Sequence, residues 1–361
     1  MGMMSELAYK IVNIVLGVER GQVVSIGGEI HNDGADLLTR STEALAEIPL
    51  IEELAIMIRK KQAFPVIEIS TDNLKKRFLN EMPDDIYDLP LDYYTKWVDT
   101  IDAFIDIGWR SNPGFFQNLA DWKFNKLKAS TSDILQSVIH KNKKMLFLGY
   151  PTRAVAEYFE ADPEVLKAAY FEGLNCDYNK VMAKTDDLTR RFTGLENGIA
   201  FTGENHLVFS IDQERLAEMP KWYNNNLIVL PGGQVEIPLL QKGLTGIFRA
   251  SRVYHENLCF ENVEIHIGEG EVYAVQFETD RKGNNKLRHA AINHHCDFRL
   301  CVGLNENLRE LTGYYLFDEA MLGNVSLKLY DQNGREIIFS NPETRMQTGE
   351  QNNILGEVLY V

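Results

Sequence analysis

The chain has 361 residues, 45% apolar and 25% charged, enough apolar material to bury a core in each of two domains. Acidic residues outnumber basic ones by 52 to 37, a net charge of −15, and such a surface repels phosphate backbones and anionic lipid, which argues against nucleic-acid and membrane partners. The four cysteines (Cys176, Cys259, Cys296 and Cys301) are too few and too scattered for a disulfide framework or a zinc knuckle, so reduced thiols in a cytoplasmic protein are expected.

Met1 to Arg20 lacks the charged start, apolar run and small-residue cleavage site of a leader. No apolar stretch approaches the roughly 20 residues of a membrane span. Leu7, Ile11, Ile14, Val15 and Val18 recur at helical spacing and predict a helix over Glu6 to Val18. Glu19-Arg20-Gly21-Gln22 reads as a turn into the apolar run Val23 to Ile26, which Gly27 and Gly28 are expected to end. Asp36 to Ala46 reads as helix, and the acidic, proline-bearing run Glu81 to Asp92 as a surface loop. Pro65–Ile69, Ala103–Ile107 and Met145–Leu148 are further short apolar runs between helical segments, the pattern of parallel strands buried on both faces.

Past Lys184 the pattern turns strand-rich. Ile199–Thr202 and Leu207–Ile211 flank Gly203-Glu204-Asn205-His206, a turn that lacks the lysine and helix start of a phosphate loop. Glu261–Ile267 and Glu271–Phe277 flank Gly268-Glu269-Gly270 as a hairpin, and Asn324–Tyr330 and Glu336–Ser340 flank Asp331 to Arg335 in the same way. The expected fold class is α/β. A parallel-sheet domain over residues 1–185 precedes a mixed, strand-rich α+β domain over 186–361.

Several stretches, in order over almost the whole chain, resemble the thermophilic-aminopeptidase family of metallopeptidases. They are Glu19-Arg20-Gly21-Gln22-Val23, Gly149-Tyr150-Pro151-Thr152, Leu230-Pro231-Gly232-Gly233-Gln234-Val235, Val302-Gly303-Leu304-Asn305, Leu311-Thr312-Gly313, Phe317-Asp318-Glu319 and Leu322-Gly323-Asn324-Val325. The resemblance implies an N-terminal α/β domain, a C-terminal domain with a metal cleft, and a homodimer. It also implies two divalent ions, held by two glutamates, a histidine and a histidine-x-aspartate pair, that activate a water against the N-terminal peptide bond.

By that resemblance the ligand positions fall on other residue types. The first glutamate falls on Gln234, a neutral amide, and the second on Arg299, a fixed cation that cannot ligate. The histidine falls on Ser326, and no histidine follows His295 to supply the terminal pair, which the related mononuclear iron ring-cleaving dioxygenases also use. No metal cofactor is therefore expected. Glu236, Asp297, Asp318 and Glu319 are the cleft carboxylates left as partners for Arg299. The alternative is a relocated site for zinc, cobalt or manganese on Glu236, His294, His295 and Asp297. Glu236 and Gln234 share a strand face, as do Asp297 and Arg299, and His289, His294, His295, Cys296 and Asp297 crowd into nine residues. Arg281, Lys282, Lys286 and Arg288 surround that cluster, which equally suits a solvated helix end. Cys301 lacks a histidine at a readable distance and reads as a buried structural thiol. Trp222, Tyr223, Tyr314 and Tyr315 read as core aromatics or a cleft lining. Three functional readings stand side by side: an altered or non-catalytic relative that binds a small molecule or peptide, a metallo-aminopeptidase with displaced ligands, and a metal-free enzyme that reuses the cleft.

Overall fold

The structure is a computed structural model that describes residues 2–30, 47–83, 92–109, 113, 119–256, 258–279, 283–293, 297–330 and 335–347. The chain forms two compact units, Met1–Tyr158 with Tyr223–Leu230, and Phe159–Trp222 with Pro231–Val361. The first unit thus reclaims a short segment to complete its sheet. Residue 185, the boundary read from sequence, falls inside the helix Tyr178–Phe192 of the second unit.

The first unit is built on a parallel sheet. Its strands are β1 (Val23–Ile30), β2 (Phe64–Thr71), β3 (Ala103–Asp106), β4 (Lys144–Phe147) and, after a passage through the second unit, β7 (Leu227–Val229), in the order β2-β1-β3-β4-β7. Each coincides with an apolar run or extends one, and Val98, Ile101, Phe104 and Val138 form a buried cluster beneath it. The helix Ile48–Lys60 packs Leu50, Ile51, Leu54, Met57 and Ile58 inward, one apolar stripe at helical spacing. Gly27 and Gly28 do not end β1, which runs on to Ile30. Gly27 pairs with Glu68 on one side and Asp106 on the other, and a Cβ on Gly28 would stand 2.5 Å from Ile51 Cδ1. The glycines let the helix close on the strand. The first helix is α-helical over Met3–Tyr9 and continues as a wider π turn over Lys10–Val15, with the Leu16 amide donating to Ile11 O. The predicted helix Asp36 to Ala46, most of the loop Glu81 to Asp92, and Asp331 to Gly334 lie outside the described residues.

The second unit holds an antiparallel sheet of ten strands among the described residues. They are β5 (Asn197–Thr202), β6 (Asn205–Ser210), β8 (Gln234–Leu239), β9 (Thr245–His255), β10 (Leu258–Gly268), β11 (Glu271–Phe277), β12 (Asp297–Gly303), β13 (Val325–Tyr330), β14 (Glu336–Asn341) and β15 (Arg345–Gln347). The main path is β15-β5-β6-β9-β14-β13-β12-β8, and the β10–β11 hairpin adds to β9. Gly203 turns β5 into β6 at φ +66°. Along β8, β12, β13 and β14 alternate side chains are apolar. Val235, Ile237, Phe298, Leu300, Val302, Leu327, Leu329, Ile337 and Phe339 are buried on one face, and the polar residues of the same strands take the other.

Among the described residues no helix is long and apolar enough to cross a membrane.

Candidate functional site

The polar face of β8, β12 and β13 gathers Gln234, Glu236, Asp297, Arg299 and Ser326 among the residues singled out by sequence. Antiparallel register sets Gln234 opposite Gly303 and Glu236 opposite Cys301. On the other side of β12, Cys301 faces Ser326, Arg299 faces Lys328 and Asp297 faces Tyr330. Directly opposed residues in a sheet point to the same side, so Gln234, Glu236, Asp297, Arg299, Ser326 and Lys328 share one surface.

On it lies a chain of ion pairs. Arg299 donates from Nη1 to Glu236 Oε2 at 2.8 Å and from Nε to Asp297 Oδ2 at 3.0 Å. Its guanidinium also stacks on Tyr330, 4.7 Å from the ring centroid. Asp297 is gripped from its far side by Arg215, on the helix Gln213–Glu218, through two parallel bonds of 2.8 and 2.9 Å. Lys328 donates to Glu236 Oε1 at 2.9 Å and forms an ion pair of 2.6 Å with Glu319. Three carboxylates (Glu236, Asp297, Glu319) are thus matched by three cations (Arg215, Arg299, Lys328).

Burial and charge act against each other here. Burial pushes the Glu236 carboxyl up, but Lys328 and Arg299 overcome it and hold it down at about 2. Burial raises the Asp297 carboxyl too, and Arg215 and Arg299 bring it below the usual range. Glu319 has no guanidinium, and the Lys328 ammonium it faces is shared with Glu236. Burial accordingly drives its carboxyl above the ordinary range. Lys328 is only 5% exposed, and although burial works against its charge, Glu319 and Glu236 keep it protonated.

Ser326 is fully buried, sharing a 2.7 Å hydrogen bond with Ser340 and accepting one from the Asn324 amide. Asp318 does not join the ion-pair chain. Its carboxylate accepts from the Thr312 amide and hydroxyl at 2.6 and 2.7 Å, from the Gly313 amide at 3.1 Å, and from the Tyr254 hydroxyl. Tyr314 and Tyr315 pack with Phe159 as core, and Trp222 donates to Thr185 beside Tyr178. Cys301 is fully buried, and burial pushes its thiol far up, which suits a structural thiol and not a nucleophile. Cys176, Cys259 and Cys301 are free thiols. His294, His295 and Cys296 lie outside the described residues, so the relocated metal set reduces, among described residues, to Glu236 and Asp297, with Arg299 between them.

The donor set does not fit a pair of divalent ions. The implied ligand positions offer an amide, a guanidinium and a hydroxyl, and the carboxylates nearby are each bound to a cation. The buried Gln234 Oε1 has no hydrogen-bond partner, but one neutral oxygen does not balance two dications beside Arg299. Among the described residues no three His, Cys, Asp or Glu side chains are grouped to hold a metal ion.

Two members of the network were not singled out by sequence. Lys328 had a legible signal, because it stands two residues after Ser326 in an alternating strand and so takes the same face. Arg215 had none. It is 82 residues from Asp297, and only the folded sheet brings its helix alongside.

No family model matches the chain, and no curated protein sequence matches it. Among solved structures it is similar to wild-type AmpT from Thermus thermophilus, with a TM-score of 0.63 and 14% identity over 96% of this chain and 94% of that one. It is also similar to 2,5-dihydroxypyridine dioxygenase from Pseudomonas putida KT2440, with a TM-score of 0.56 and 10% identity over 97% of this chain and 94% of that one. At such identities the likeness speaks for architecture alone, and what it establishes is an aminopeptidase T-like α/β fold.

Proposed function

We propose that this chain is an aminopeptidase-like protein without the paired-metal chemistry of the family it resembles, and that it binds a small molecule or peptide at the polar face of its second unit, as a homodimer. The observation that supports this is the place of Arg299 and Lys328. Where the resemblance implies two dications, two side-chain cations neutralise Glu236. A guanidinium cannot take over the activation of a water from a dication, because it neither ligates the water nor gives up its own proton. The same face retains partly exposed donors, with the Arg299 side chain 27% and the Arg215 side chain 41% exposed, and these suit the carboxylate of a ligand.

Two measurements test the reading. Elemental analysis of the purified protein is expected to find well under one zinc, cobalt or manganese ion per chain. Amino-acid anilides are expected to remain intact in its presence, with or without added metal. Two tightly held ions, or hydrolysis abolished by a chelator, would establish the working metallo-aminopeptidase instead.

A further inference from the structure

The parallel sheet of the first unit changes character toward the carboxyl ends of its strands. Val23, Val66 and Phe104 pack against Val98 and Val138 of the helices Asp92–Thr100 and Asp121–His140. This apolar cover reaches the row Phe104-Ser25-Val66. The register of β4, β3, β1 and β2 makes the next polar row Phe147-Asp106-Gly27-Glu68. Paired residues point to one side of a sheet, so Asp106 and Glu68 flank Gly27 on one face. The strand order β2-β1-β3-β4-β7 reverses direction between β1 and β3, beside this row. Ligands of open parallel sheets bind outside the carboxyl ends at such a reversal.

Gly27 leaves the middle of the row open. A Cβ there would meet nothing nearer than Ile105 O at 3.7 Å, and its next neighbours are atoms of Asp106 at 4.0 Å. The Cα atoms of Asp106 and Glu68 lie two strand spacings apart, roughly 10 Å. Glu68 accepts from the Ser25 hydroxyl at 2.7 Å. The Asp106 carboxyl is almost wholly enclosed by protein atoms, yet no described residue donates a hydrogen bond to it. Glu29, one row further on, reaches across to the end of β3, where a Cβ on Gly108 would stand 2.4 Å from its Cγ, and it is paired with Lys75. Lys75 is one cation in the field of Asp106, Glu29, Glu47 and Glu68, which gives 1 − 4 = −3 with all four ionised. Burial, then repulsion from Glu29, raises the Asp106 carboxyl to about 7, against the pull of Lys75. A cation above Gly27 would give the enclosed carboxylate its missing partner. On the other flank of Asp106, the rings of Phe147 and Trp109 lie 4.9 Å apart and form an aromatic wall of the kind organic cations favour. The span of the two carboxylates is too wide for one metal ion, and among the described residues no metal-holding group forms here. An ammonium offers three donors and a guanidinium five, aimed in several directions.

We propose that the open place above Gly27 binds a small organic cation, whose ammonium or guanidinium group lies between Asp106 and Glu68 while its apolar body rests against the Trp109–Phe147 ring pair. The site lies wholly within the first unit and is independent of the reading given for the polar face of the second.

Isothermal titration of the full chain with benzylamine, benzylguanidine and the neutral isostere benzyl alcohol, at pH 8 and constant ionic strength, tests it. At that pH the Asp106 carboxyl, raised to about 7, is mostly ionised. At least one of the two cations is expected to give saturable binding, and benzyl alcohol to bind at least tenfold more weakly. Tighter benzylamine binding marks an ammonium ligand, and tighter benzylguanidine binding a guanidinium ligand. Asp106→Asn is expected to bind the cation about tenfold more weakly, the loss of a charge-assisted contact. This change removes an enclosed charge that lacks a partner, so the thermal midpoint should not fall. Gly27→Leu is expected to fill the place and abolish saturable binding, with circular dichroism reporting the fold. Asp133→Asn, the same charge change at an exposed position of the helix Asp121–His140, is expected to bind like the parent. Absence of saturable binding by both cations, equal binding of benzyl alcohol, or undiminished affinity in Asp106→Asn or in a folded Gly27→Leu would overturn the proposal.

Discussion

At Lys328 a single ammonium stands between Glu236 and Glu319, almost wholly out of solvent. Replacing it with methionine keeps the volume but strips Glu319 of its cation and leaves Glu236 with Arg299 alone. Breaking a buried pair in this way costs about 3–5 kcal/mol, and urea unfolding of Lys328→Met should show a loss of that order. Arg299→Glu would set a third carboxylate against Glu236 and Asp297. It should destabilise the fold by at least about 2 kcal/mol, and it should not generate anilide hydrolysis. The pH dependence follows from Glu236. Its folded value of about 2 lies below the unfolded carboxylate value, so its contribution is fully present above the unfolded pKa and is lost as pH falls through the folded one. Between about pH 4.5 and pH 2 the parent protein should therefore lose up to about 3 kcal/mol through this group. Denaturant titrations of Glu236→Gln across the same window should show a shallower slope. An equal slope would remove Glu236 from the ion-pair chain.

At the scale of elements, the motifs that carry the family resemblance are largely backbone staples. The Asn305 amide donates to Gly173 O at 2.9 Å and to Gly232 O at 3.1 Å, and its oxygen accepts from the Asn307 amide. Gly233 adopts φ +115°, a conformation side chains resist. At Gly303 a Cβ would stand 2.0 Å from Met321 O, a backbone atom that cannot swing aside. Gly303→Ala should consequently cost about 2 kcal/mol or more. A thermal midpoint equal to the parent's would contradict so close an approach. Asp318 closes the turn Thr312–Tyr314 onto the helix that follows. These residues are required by loop geometry whatever occupies the sheet face. Strand alternation made the shared face of Gln234 and Glu236, and of Asp297 and Arg299, readable in advance. The strand order β8-β12-β13, which brings these pairs together, was not readable, because β8 and β12 are about sixty residues apart and nothing local encodes their pairing.

For the whole molecule, the proposed homodimer gives a direct expectation. Light scattering should return a mass near twice the chain's 41.2 kDa, and a value near 41.2 kDa itself would refute the assembly. The net charge of −15 should also keep the protein off DNA and RNA at physiological salt, and a gel-shift assay reads that outcome.

The sequence alone determined the class of each half. Short apolar runs between helical patterns mark strands covered on both faces, and alternating runs joined by tight turns mark an antiparallel sheet, because these periodicities are local consequences of burial. It also determined that Arg299 is a fixed cation, since an arginine carries its charge wherever it stands. Tertiary structure decided what that arginine does. Only the sheet register places it on Glu236 and Asp297, and only packing across 82 residues of sequence brings Arg215 to the other side of Asp297. It likewise decided that Leu227–Val229 returns to complete the parallel sheet, and that Asp106 and Glu68 flank Gly27 on one face of it. Such contacts arise from closure of distant segments on a common core, and no spacing along the chain records them.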